Sequence, residues 1–192
     1  MSHLIRKIDP ASWSKQQEPS KAQMDLRDLS DVSCWECNAG LPSTIIEAAI
    51  ALMCATKPIA RVDTIFLVAL PIVELEQASI TVIGPTPGQA FTRFAPLSAR
   101  HRSLDVSEAE DTEKLISIIR RNFHRGKELR PLSFRIGTSE LMQILHALIL
   151  SGDIPISDLG ASLQEKYDRI YKEDKSFKFK PKLPEVGGDA KG

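Results

Sequence analysis

Two cysteines three positions apart are the residues best suited to chemistry in this chain. Cys34-Trp-Glu-Cys37 has the spacing at which two thiolates grip one metal ion, or at which one thiol resolves a disulfide formed by the other. A closed zinc site needs two more ligands, and Cys54, His101, His124 and His3 are scattered with no second close pair. A redox dithiol works best at a helix N-terminus, where the dipole lowers the thiol pKa. Here several residues, Pro42 among them, separate Cys37 from Thr44, the expected cap of the next helix. Two small thiols turned into a core explain the pair more simply. Cys34 and Cys37 therefore stand as metal ligands only in an alternative reading, and no cofactor is expected.

The most basic stretch is Arg120 to Arg135, with Arg120, Arg121, Arg125, Lys127, Arg130 and Arg135 set among Phe123 and Phe134. Arginines beside aromatics hold phosphates and stack bases, so these residues, with Arg100 and Arg102 if the fold brings them near, are the nucleic-acid candidates. A plainer origin for part of that charge is the helix dipole. Glu108, Glu110, Asp111 and Glu113 open the expected helix, while Arg120, Arg121, His124 and Arg125 close it. The helices flanking Ser151-Gly-Asp-Ile-Pro-Ile156 superficially suggest a DNA-reading pair. The second one, however, would present Asp158, Glu165 and Asp168 to phosphates, and a packed helical hairpin fits better.

His101, in Ser98-Ala-Arg-His-Arg-Ser-Leu-Asp105, has polar neighbours that could build an active site, and it is the one catalytic candidate. His146 shares a stripe with Ser139 and Gln143 on an apolar helix, which reads as that helix's solvent side. The loop Gly84-Pro-Thr-Pro-Gly88 has too few free backbone N–H groups, and no Lys, to cradle a phosphate. The chain contains no GxSxG, HExxH, Walker A, GxGxxG or EF-hand pattern.

The elements that must position these residues begin with a strand at Asp31 to Cys37, and turn residues follow from Asn38 to Pro42. Thr44 and Glu47 form a capping box for a helix that is apolar on most sides, ended by Lys57-Pro58. Thr64 to Leu70 is then a strand buried on both faces, and strand, helix and strand make a right-handed crossover unit. Ser79 to Ile83 and Gln89 to Phe94 are expected to pair as a hairpin. Helices follow from Ser107, capped with Glu110 and closed by Gly126, from Thr138 to Leu150, and from about Ser157 to Lys172. A short strand at Leu132 to Ile136 lies between the first two. Leu4 to Ile8 reads as a further strand in a weakly patterned lead-in.

The fold class is thus mixed α+β: a small N-terminal sheet with a βαβ-like unit and a hairpin, followed by a helical C-terminal half. A single domain over 1–172 is expected, with a lead-in at 1–30, a β-rich part at 31–100 and a helical part at 105–172. Residues 173–192 read as a disordered basic tail whose Phe177 and Phe179 are candidates for docking on a partner.

Composition bounds the function. The 192 residues carry 25 basic and 25 acidic side chains, so no whole-molecule field steers the chain to nucleic acid or membrane. No apolar run reaches the roughly 20 residues of a membrane span, and the N-terminus lacks a secretory pattern. With three cysteines, a cytoplasmic location and no membrane partner are expected. The preferred function is a non-enzymatic protein-interaction module, an accessory or regulatory subunit of a larger intracellular assembly. The alternatives are a nucleic-acid-binding accessory protein using residues 120–135, and a small enzyme or zinc protein using His101 or Cys34 and Cys37.

Overall fold

The computed structural model describes residues 3–13, 26, 31–37, 41–55, 58–85, 95–123 and 132–171. Its strands are β1 (His3–Ile8), β2 (Asp31–Cys37), β3 (Ile65–Pro71), β4 (Val82–Ile83), β5 (His101–Asp105) and β6 (Ser133–Ile136). They form one sheet in the order β4-β5-β2-β1-β3-β6, and each pairing is antiparallel. The helices are α1 (Leu41–Met53), α2 (Ile72–Gln77), α3 (Ala95–Ser98), α4 (Ala109–Asn122), α5 (Thr138–Leu150) and α6 (Ala161–Tyr171). The class is mixed α+β, with five of the six strands drawn from the first 105 residues.

Alternation along β1 divides the core in two. Ile5 points to a cluster with Trp35, Leu67, Ala69 and Phe134, covered by α1, α5 and α6. Leu4 and Ile8 point the other way, to Val32, Cys34, Val68, Leu70 and Leu104, beneath α2 and α4. The sheet is therefore covered on both faces. Of its inner strands, β3 carries apolar residues at successive positions, Ile65-Phe-Leu-Val-Ala-Leu70, because both of its faces are covered.

The crossover β2-α1-β3 is present, but its two strands are not neighbours. β1 lies between them, with His3 opposite both Cys37 of β2 and Pro71 of β3. Both partners run antiparallel to β1, so β2 and β3 run parallel to each other. The segment that looked like a lead-in thus supplies an inner strand, with Leu4 and Ile5 fully buried.

Other boundaries shift for identifiable reasons. Helix α1 starts at Leu41, three residues before the expected cap, since Pro42 fits the first turn, where its missing N–H costs nothing. The Ser107–Glu110 capping box does not form. The Ser107 amide donates to Asp105 Oδ1 at 3.1 Å, and α4 begins one residue later, after Glu108. Phe123, extended at φ −102°, ends α4 before Gly126, which lies outside the described residues. Val82–Ile83 pairs with β5, and the expected hairpin partner 89–94 lies outside the described residues.

Helix α5 matches its expected range. Glu140 Oε2 accepts the Gly137 N–H at 2.6 Å at its start, and Gly152, at φ +81°, turns the chain after its end. The last expected helix is divided into a 3-10 turn at Ile156–Asp158 and α6. At the break the Ile59 N–H donates to the Asp158 carbonyl at 2.8 Å, and the Gly160 N–H donates to the Ile59 carbonyl at 2.9 Å. Those two bonds tie the helical half to the end of the α1 connection.

Candidate functional site

His101 lies in β5 directly opposite Trp35 of β2, their rings edge to face at 5.5 Å between centroids. It is 1% exposed, inside the sheet rather than in an open pocket. No local apolar period in the polar run around it marks a strand. Only the register with β2 does so. A general acid or base must reach a substrate proton, and burial at this depth leaves no described path to the ring.

Cys34 is also buried, on the opposite face, and burial pushes its thiol up to about 12 even though the Arg6 guanidinium opposes the shift. A thiol held protonated is a poor metal ligand and a poor nucleophile. Cys37 belongs to β2, but its side chain lies outside the described residues, as does His124. No group of three His, Cys, Asp or Glu side chains suited to a metal occurs among the described residues.

The basic candidates do not form one described patch. Arg100 pairs with Glu47 of α1, and Arg102 pairs with Glu36 across the β2–β5 ladder. Arg121 approaches Glu74 of α2 at 3.3 Å, where Asn122 also donates to the same carboxylate. Arg120 is exposed near that end of α4. Arg135 is exposed on β6 opposite Phe66, near the start of β3, whereas Glu74 follows the end of β3. Five residues of strand, roughly 17 Å, separate those two ends. Arg125, Lys127 and Arg130 lie outside the described residues, as do Phe177 and Phe179. The carboxylate partners of these arginines are remote in sequence, so spacing gave no sign of them.

His146 does not face open solvent as its stripe suggested. Its ring stacks on Tyr171 at 4.0 Å, and its Nδ1 lies 2.7 Å from the Tyr167 hydroxyl, joining α5 to α6. Desolvation there lowers the His146 pKa and raises that of Tyr167. Ser139, from the same stripe, is exposed.

Among the described residues, two surfaces of this half of the molecule are open. On α5, Ala147 is half-buried and Leu150 is 72% exposed, three residues apart on the side away from the buried Leu141, Met142 and Leu145, whereas Ile144 packs against that core. Strand β6, which leads into α5, is the last strand of the described sheet. The second surface is a half-open cleft of about 370 Å³ between the end of α1, the segment 60–64 and the start of α5, with Lys7 of β1 on its floor.

The chain matches no model of a known protein family, no curated protein and no solved structure. Among the described residues, no helix is long and apolar enough to cross a membrane.

Proposed function

We propose that this protein is a non-enzymatic interaction module, an accessory or regulatory subunit that docks on another protein through the outward side of α5. The observation that carries this reading is the outward apolar pair Ala147 and Leu150, the latter 72% exposed, on a helix whose opposite side already fills the core. A helix needs one apolar side to fold onto a sheet. A second apolar stripe adds nothing to that packing, and it gives a partner an apolar surface to cover. The neighbouring terminal strand β6 adds backbone donors and acceptors for an extended partner segment. Burial of His101 and Cys34 supports a role without catalysis.

The test is affinity purification from the native host with the wild type and with an Ala147→Glu/Leu150→Glu variant, followed by reconstitution from purified components. The expected result is one stoichiometric protein partner, rebound directly by the wild type and at least about tenfold more weakly by the variant. Equal binding by the two would remove α5 as the docking surface. Retention that disappears on nuclease treatment would favour the nucleic-acid reading instead.

A further inference from the structure

The cleft beside α1 rests on a break in pattern at an inner strand. Odd positions of β1 face the helix layer of α1, α5 and α6, and Ile5 accordingly belongs to that core. Lys7 occupies the next position on the same face, opposite Leu67, which is fully buried. A lysine on a covered sheet face keeps its ammonium hydrated only if the cover is open above it. It is open here: Lys7 is exposed, and the helix layer parts between the end of α1 and Leu141 of α5.

The lining sorts by chemistry. Leu52 and Met53 from α1, Ile65 from β3 and Leu141 form apolar walls. The polar groups are Lys7, Thr64 and the pair Arg61 and Asp63. The Arg61–Asp63 pair, 2.9 Å apart with side chains 84% and 66% exposed, sits at the rim and neutralises itself. Thr64 Oγ1 lies 3.4 Å from Thr138 Oγ1. The named ionisable groups therefore leave one net positive charge, that of Lys7, above an apolar floor.

We propose that this cleft binds a small monocarboxylate with a short apolar body, its carboxylate on Lys7 and its hydrocarbon against Leu52, Met53 and Leu141. Among the described lining residues, one uncompensated cation selects a monoanion over a phosphate ester, which would need more donors than they offer. The volume lies at the small end of ligand pockets. This site is separate from the outward stripe of α5, so it stands or falls independently of the interaction reading.

The test uses hexanoate as the probe and hexanol as its uncharged counterpart, titrated into the full chain and followed by two-dimensional amide NMR. The variants are Lys7→Met and Lys7→Gln, which keep much of the stem, with Arg120→Met as a distant charge control. Far-UV circular dichroism and chemical-shift dispersion show whether each is folded. Saturable shifts centred on Lys7, Met53, Thr64 and Leu141 are expected. Binding should weaken at least about tenfold for hexanol and for either folded Lys7 variant, and not for Arg120→Met. The proposal is overturned by no saturable binding up to about 10 mM, which is weaker than useful millimolar affinity. Shifts centred elsewhere, or equal binding of hexanoate and hexanol, would overturn it as well.

Discussion

The two faces of the sheet handle their polar residues differently. On the face beneath α2 and α4, polar groups are enclosed and matched. The buried Arg6 donates to the Ser33 carbonyl at 3.2 Å, Arg102 pairs with Glu36, and the Cys34 thiol is held neutral by burial. On the face beneath α1, α5 and α6, the cover parts over Lys7, and α5 turns apolar residues outward as well as inward. The enclosed face follows the rule that buried polar groups need partners. The other encloses His101 but departs from pattern at Lys7 and Leu150, where solvent has access.

The largest effect that would break this comparison is expected on the enclosed face. Leu115 of α4 is fully buried there, and Leu115→Ala should cost about 2–5 kcal/mol in a denaturant titration. A cost below about 1 kcal/mol would mean that this face is less closely packed than described.

The next effect is alkaline. The Cys34 thiol ionises normally near 9.0 and near 12 when folded, so above pH 9 the unfolded chain loses its proton while the folded chain keeps it. The stabilising contribution is complete below pH 9 and is lost as the pH rises, with a slope approaching about 1.4 kcal/mol per pH unit. Chemical unfolding of the wild type at pH 8 and pH 10.5, beside Cys34→Val, isolates it. An equal alkaline loss in the variant would show that Cys34 is not held neutral.

The smallest effect falls on the open face. Leu150→Ser should change stability by no more than about 0.5 kcal/mol in the same titration, because the side chain is 72% exposed. A loss near that of Leu115→Ala would show that Leu150 is buried in the free protein and would withdraw it from the docking stripe.

Much of the fold was legible because it is written in local periodicity. The ranges of β2, β3 and α5 follow from β-branched runs, apolar continuity and turn residues, and the acid-to-base gradient of α4 survives with Glu110, Asp111, Arg120 and Arg121 at its ends. Strand β5 was not legible, since His-Arg-Ser-Leu-Asp has neither an apolar run nor a clean alternation until Trp35 and Cys34 are placed opposite it. The capping box at Ser107 failed because Asp105 competes for the same amide. Of the candidate sites, the spacing of Cys34 and the charge of the arginines were plain. Their burial and their acidic partners were not.

The sequence by itself determined that the segments of β2, β3, α4 and α5 are strand or helix and that β3 is buried on both faces, because these properties depend on residues a few positions apart. Tertiary structure alone decided that β1 divides β2 from β3, that Arg100, Arg102 and Arg121 meet Glu47, Glu36 and Glu74, and that Lys7 stands beneath an opening in the helix layer. These depend on pairings between residues far apart in the chain. Such pairings are set by which apolar faces bury one another, and no local pattern encodes that choice.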